Sequence, residues 1–320
     1  DECLKEANLT WEDVDINHLN LNDKKVFEHI YKVGNTVGIF QMESAEALKL
    51  CIEAETDNVE DVIAINAFNR PGTKANFPIY VQNKKYPLQA KILHEDLREI
   101  FKSTHLVLLY QEQALQLFRL AGFPEEEVDN ARRAIGKKIK EVMLSLKERF
   151  KDGLKNRKWT DEQIESIWTL IERQADYSFN RGHSVAYGLL SYLTAYLKYY
   201  YPVEFMTACL NAKISNTGKT GVLINECKKL NIQVCPPDIN KSLKYYTPDK
   251  IERKILYGLN PVKGVGGEAS NFIIENRPYN NLKEFLQKMT IKDSPVNKTA
   301  IISLIKSGAL PTKNKNKTLL

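Results

Sequence analysis

This 320-residue chain has few means of holding itself together other than packing. Its five cysteines (Cys3, Cys51, Cys209, Cys227 and Cys235) are odd in number, scattered, and contain no Cys-x-x-Cys pair. That argues against a disulfide frame and a zinc module, and favours a reducing cytoplasm. No apolar run approaches the ~20 residues of a membrane-spanning helix. The start, Asp1-Glu2-Cys3, is acidic, so no secretory signal is read there. With no initiator Met, the chain is expected to be a segment of a longer polypeptide. A complete phosphate-binding loop is missing too. Gly218-Lys219-Thr220 has the ending of one, but Lys213 stands where its first glycine belongs. No internal repeat is found.

What is present is ordinary globular material, 43% hydrophobic and 27% charged. The length suits one large or two ordinary domains with a buried core. A net charge of +6 is a mild pull towards a polyanion. The pattern is mainly α with a few short strands. Asp23 to Val33 reads as a short capped helix ending at Gly34, Thr36 to Phe40 as a β-prone run, and Glu43 to Ile52 as a helix. Asp57 is expected to cap a helix through Phe68, which Arg70-Pro71-Gly72 stops. From Glu125 to Asn156, apolar residues at Val128, Ala131, Ile135, Ile139, Val142, Leu146, Phe150 and Leu154 predict one helical face, with Gly136 a point of kinking. Asp161 to Gln174 predicts another helix. Ser184 to Tyr201, apolar on nearly all sides, predicts a central buried helix. Past about Tyr245 the texture changes: a strand-like Ile255 to Leu259, a Gly-rich turn, then a helix from Glu268 to Glu275. A boundary is expected near residue 250, giving residues 1–250 and 251–312, with 313–320 a disordered tail.

Three constellations could carry chemistry. Arg132, Arg133, Lys137, Lys138 and Lys140 form a basic cluster. Arg133 and Lys137, one turn apart, can face one ligand. Arginine grips phosphate oxygens bidentately and lysine adds a point charge. On the bare pattern a solvated face, balanced by Glu141 and Glu148, is the commoner reading. Second, Arg181, His183 and Ser184 precede the buried helix, where a helix N-terminus attracts anions; an ordinary capped loop is the plainer reading. His183 has no partners that would make it a general base. Third, Lys263-Gly264-Val265-Gly266 ahead of a helix resembles half of a helix-hairpin-helix, whose exposed amides can hold a DNA phosphate without reading sequence; a Gly-x-Gly alone is a weak signal, and a plain loop is the commoner reading. Two other patterns are set aside. Asp13-Val14-Asp15 has two-metal spacing but no third carboxylate in sight. Gln113 to Phe118 mimics a clamp-binding peptide but lies in an amphipathic helix.

Taken in order, these segments resemble the bacterial C-family replicative polymerases, the DNA polymerase III alpha subunit type. The resemblance rests on Thr36-Val37-Gly38-Ile39-Phe40-Gln41-Met42-Glu43-Ser44, Asn69-Arg70-Pro71-Gly72 and Tyr110-Gln111-Glu112-Gln113. It continues through Arg132 to Lys138, Phe179-Asn180-Arg181-Gly182-His183-Ser184, Tyr196-Leu197-Lys198, Tyr201 to Met206, Pro236 to Asn240, Tyr257-Gly258-Leu259, Lys263 to Gly266 and Leu304 to Ala309. It implies a fingers domain followed by a helix-hairpin-helix element, within a nucleotidyltransferase whose palm and thumb lie elsewhere. It also implies Mg²⁺ held by palm carboxylates outside this chain, and no catalytic residue within it, so the segment alone is expected to be inactive. Its partners would be primer-template DNA, the incoming dNTP, and a sliding clamp through regions not present.

By that likeness Arg132, Arg133 and Lys137 hold the triphosphate. Arg181 and His183 line the nucleotide pocket, with His183 near the sugar, and Arg70 is a further candidate. Lys138, Lys263, Gly264 and Gly266 would meet DNA backbone. The chain departs from the family pattern at Thr73, at His105-Leu106 and at Arg181-Gly182, the marks of a divergent copy. Gly182 lacks a side chain beside the sugar contact. The alternative from another class is a stand-alone DNA- or protein-binding module derived from this fold, without catalysis.

Overall fold

Side-chain caps set where the helices begin. Ser44 Oγ accepts from Ala47 N at 3.1 Å and opens Ala45–Glu53. Asn58 Oδ1 accepts from Asp61 N at 3.0 Å and opens Val59–Phe68, one residue after the Asp57 expected from sequence. Such caps satisfy the amides that a first turn leaves without partners. Asp23 starts a turn of α-helix, Lys24–Val26, that widens into π-helical Phe27–Tyr31 and stops at Gly34, whose φ of 73° is left-handed. The computed structural model describes residues 1–136, 140–174 and 179–310. Those residues are mostly helical, with one small sheet. The expected tail, 313–320, lies outside them.

The chain divides into two compact units: residues 16–196, and residues 1–15 with 197–320. In the first, Phe118, Phe150 and Trp168 form the centre of a core with Leu117, Val128, Leu154, Ile164 and Ile167. Their rings meet edge-on or tilted at 5.4–6.4 Å, as aromatic quadrupoles prefer. Two expectations are corrected here. Thr36 to Phe40 forms turns, not a strand, closed by Ile39 N to Thr36 O and Met42 N to Ile39 O, both 3.0 Å. The stretch expected as one helix over 125–156 is two helices, Glu125–Gly136 and Lys140–Lys155. Arg149 ion-pairs with Glu127, 22 residues earlier. In a single straight helix those residues would stand about 33 Å apart. The halves therefore fold back, each turning its apolar stripe to the same core, while Val142 is left 40% exposed.

In the second unit, β1 (Gln233–Cys235), β2 (Thr247–Asp249) and β3 (Lys254–Leu256) form a sheet in the order β1-β3-β2. β1 pairs parallel to β3 with Val234 opposite Ile255, and β2 pairs antiparallel with Pro248 opposite Ile255. Lys198 and Glu226 make a buried ion pair at 2.6 Å. Burial pushes the Lys198 pKa down, against the hydrogen bond to Glu226 that supports its charge. Helices Gly267–Glu275, Leu282–Met289 and Lys298–Lys306 surround a core of Leu259, Ile273, Phe285, Met289, Ala300 and Leu304.

Candidate functional site

Three segments far apart in sequence meet in the first unit. The Val59–Phe68 helix runs into Asn69 and the turn of Arg70-Pro71-Gly72. Thr73 closes that turn: its amide donates to Arg70 O at 3.3 Å and its buried hydroxyl to Ala67 O at 2.5 Å. A proline there could make neither bond. Phe40 is fastened to the long helix Arg181–Tyr200, its amide donating to Thr194 Oγ1 at 3.1 Å and its carbonyl accepting from Ser191 Oγ at 2.7 Å. Gln41, next in the chain, is held left-handed at φ 62°. A non-glycine residue keeps that conformation only where its surroundings enforce it, and such outliers gather at functional sites.

Together Gln41, Asn66, Asn69, Arg70, Phe179, His183 and Tyr187 line one open cleft of about 390 Å³. His183 stacks on Tyr187 at 4.1 Å and meets the Phe179 ring edge-on at 5.4 Å. The Arg70 guanidinium lies 5.7 Å from the Phe179 centroid, and Arg70 is exposed. The cleft thus offers a cation, carboxamide donors and acceptors, and an aromatic wall, a set suited to a polar ligand with a flat ring. Close packing holds the two helices together: a Cβ on Gly188 would lie 2.6 Å from Ile63 Cγ1.

Tyr110-Gln111-Glu112-Gln113 supports the far side. Gln111 N donates to Phe179 O at 2.9 Å, tying the two segments as a bridge. Gln113 Oε1 accepts from Leu109 N and Tyr110 N, both 2.8 Å, and its Nε2 donates to Thr104 Oγ1 at 2.7 Å. Its side chain is thereby used inside the fold rather than offered to a partner. Glu112 takes the N-terminus of the Arg181–Tyr200 helix, accepting from Arg181 N at 2.8 Å and Asn180 Nδ2 at 2.9 Å. The anion expected at that terminus is, in this structure, a side chain of the protein. Arg181 Nη2 reaches both oxygens of Glu60 at 3.1 Å. Behind them Asp61 is fully buried, accepting from Tyr80 Oη at 2.6 Å and pairing with Lys84 at 2.5 Å. Burial raises the Asp61 pKa, but His105, Lys84 and Tyr80 outweigh it and hold the carboxyl well below the usual carboxylate range.

Of the residues singled out in the sequence, Arg70 and His183 share the cleft and Arg181 turns to Glu60. Arg133 is 63% exposed and pairs with Asp129 at 2.7 Å. Lys137, Lys138 and the side chain of Arg132 lie outside the described residues. In the second unit Lys263 is exposed, and Gly264 is left-handed at φ 81°, where a Cβ would also press on Thr299 Cγ2 at 3.1 Å. Gly266 caps the Gly267–Glu275 helix without a side-chain bond.

No group of three or more His, Cys, Asp or Glu able to hold a metal occurs among the described residues. Asp13 of the Asp-x-Asp pattern is committed to Thr10, accepting from its amide at 2.7 Å and its hydroxyl at 2.8 Å. These side chains do not fit a magnesium site. Thr220 of the partial phosphate-loop pattern donates inward to Lys213 O and Asn216 O. No helix among the described residues is long and apolar enough to cross a membrane. Sequence reasoning missed Glu60, Asn66 and Tyr187. Glu112, Gln41 and Asn69 lay inside motifs it had quoted but carried no assigned role.

Residues 2–158 match the model of the bacterial DNA polymerase III alpha subunit finger domain, and residues 231–320 that of a helix-hairpin-helix motif. The chain is 37% identical over 329 residues to DNA polymerase III subunit alpha of Aquifex aeolicus (strain VF5), a match over 100% of this chain and 28% of the relative. It is 37% identical over 309 residues to the Campylobacter jejuni subunit alpha (94% and 25%) and 35% identical over 325 residues to that of Staphylococcus epidermidis strain ATCC 12228 (100% and 30%). It thus spans roughly a quarter to three tenths of the length of these relatives. The chain belongs to the bacterial DNA polymerase III alpha subunit family, of which it carries finger-domain and helix-hairpin-helix sequence.

Proposed function

We propose that this chain is the fingers part of a DNA-directed DNA polymerase, which binds the incoming deoxynucleoside triphosphate and the primer-template for nucleotidyl transfer. The observation that carries the reading is the convergence of Gln41, Asn69-Arg70 and Phe179 with His183 on one cleft. Phosphoryl transfer is largely positioning plus charge neutralisation, and this unit has the parts for positioning. Arg70 and Arg181, with Arg132, Arg133 and Lys137, supply cations for the triphosphate. His183, braced by Tyr187, faces the sugar, and Gly182 leaves that face open. Residues 251–312 act as the DNA-binding segment, in which Lys263 and the amides around Gly264 and Gly266 meet duplex backbone; Lys138 adds a further backbone contact. In-line displacement itself needs carboxylates from the rest of the polymerase, so the segment alone is inactive.

The test is equilibrium binding of a labelled dNTP and of a labelled primer-template to this chain, across a salt titration. Arg70→Ala and His183→Ala should weaken dNTP binding, each by about 1–2 kcal/mol, the worth of a hydrogen bond to a charged group or an aromatic contact. Primer-template affinity should fall steeply with salt. Binding of dNTP that is indifferent to both substitutions refutes the cleft as the nucleotide site.

A further inference from the structure

Arg181 is poorly satisfied where it stands. It occupies the first turn of a 20-residue helix, where the positive end of the helix dipole disfavours a cation. Two carboxylates compensate: Glu112 caps the backbone, and Glu60 takes the guanidinium through Nη2 alone. Arg181 Nε is buried and has no partner among the described residues. The same holds for the hydroxyls of Tyr110, whose ring centroid lies 6.0 Å from the guanidinium, and of Ser184, one turn along the helix. Both residues are almost wholly buried. Buried polar groups are normally satisfied, so an under-bonded cation lying over the ring of a tyrosine whose hydroxyl is also unpartnered marks a resting arrangement that a further ligand would complete.

We propose that Glu60 is an internal stand-in for phosphate: it latches Arg181 in the empty site, and the incoming triphosphate must displace it to take the guanidinium. This rests on the phosphate-binding reading of Arg181 above. A triphosphate carries more charge and more acceptor oxygens than one carboxylate, and it can engage the guanidinium edge that Glu60 leaves unused. The exchange is modest in cost, because the side chains of Arg181 and Glu60 are 38% and 42% exposed. Water screens such a pair. The latch has two effects. It keeps the guanidinium from being left bare while the site is empty, and it sets a threshold that a weakly charged ligand does not pass. Glu112, holding the backbone rather than the guanidinium, stays in place throughout.

The experiment titrates this chain with inorganic triphosphate and follows binding by calorimetry, in the wild type, Glu60→Gln, Arg181→Ala and the double variant. Glu60→Asp serves as a charge-preserving control, and circular dichroism checks the fold of each. The expected result is tighter binding by Glu60→Gln, by up to about fivefold, the most a pair this exposed contributes to an equilibrium. Arg181→Ala should bind more weakly, and on that background Glu60→Gln should add nothing. Glu60→Asp should bind like the wild type. Weakening by Arg181→Ala without tightening by Glu60→Gln overturns the latch and leaves the phosphate reading standing. Tightening by Glu60→Gln even without Arg181 also overturns it, since that is a long-range charge effect. Wild-type binding by Arg181→Ala removes the phosphate reading and the latch with it, as does the absence of binding in every variant.

Discussion

Asp61→Asn should be among the most damaging single substitutions in the first unit. The Asp61 carboxylate is fully buried and accepts from Tyr80 Oη (2.6 Å), Asn58 Nδ2 (3.0 Å) and Asp57 N (3.1 Å), with Lys84 Nζ at 2.5 Å. Lys84 is itself only 11% exposed. Taking the charge from Asp61 leaves a largely buried ammonium. Removing one partner of a buried pair costs about 3–5 kcal/mol. Lys84 keeps Asp57 at 3.0 Å and the carbonyls of Ala54 and Glu55 at 2.9 and 3.1 Å, which places the loss at the lower end, about 3 kcal/mol. For a unit of this size that lowers the melting temperature by about 6–12 °C. Urea denaturation followed by tryptophan fluorescence reads it directly, because Trp159 and Trp168 lie in the core of the same unit.

The pH dependence gives a second reading of the same group. The folded carboxyl titrates well below its unfolded value of about 4, so its contribution is complete above that pH and is lost as pH falls below it. The wild type should lose stability between about pH 4 and pH 2, and Asp61→Asn should lose less over that window. A variant within about 0.5 kcal/mol of wild type at pH 7, the scatter of an ordinary surface substitution, refutes the argument. Adding Lys84→Met should recover part of the loss, because it removes the stranded charge.

Other expectations are simpler to check. Lys158, exposed and left-handed at φ 67°, should accept glycine with a gain of roughly 0.5–1 kcal/mol in urea melts, since an L-residue pays ~1–2 kcal/mol there and glycine returns part of that as chain entropy. Gly188→Ala forces a Cβ to 2.6 Å from Ile63 Cγ1 and 3.0 Å from its Cα, so it should cost about 1–3 kcal/mol and weaken dNTP binding by spreading the helices that carry Asn69 and His183; unchanged binding in a folded variant separates packing from site geometry. Lys263→Ala should weaken primer-template binding about equally across sequences and reduce the slope of log affinity against log salt by about 1, whereas an unchanged slope removes Lys263 from the backbone contacts.

Much of the local structure was legible because it is written in neighbouring residues. Asp23 caps its short helix and Gly34 stops it, as read, whereas the cap of Val59–Phe68 is Asn58, one residue beyond the Asp57 expected. The long helix before Pro202 was plain from its apolar composition, and the family was plain from a run of short motifs in order. The turns at Thr36 to Phe40 were not legible, because β-branched residues also serve a buried turn whose backbone groups close on one another. Gly136 reads as a point of kinking, but not as the place where the stretch divides into two helices. A helical stripe has the same spacing in one straight helix as in two helices folded against a single core.

Charge partners were the least legible of all. Arg181 and His183 stood out from their motif, but Glu60 lies 121 residues from Arg181 and Glu112 lies 69 residues from it. No pattern of spacing links them. The sequence by itself determined several of the helices, the family and the residue types available for phosphate. Only the tertiary structure decided that Arg70 and His183 share a cleft with Gln41, that Gln113 is used in the core, and that Arg181 rests on a carboxylate. The physical reason is range: caps and turns are settled within a few residues along the chain, whereas ion pairs and clefts form between segments that meet only when the core closes.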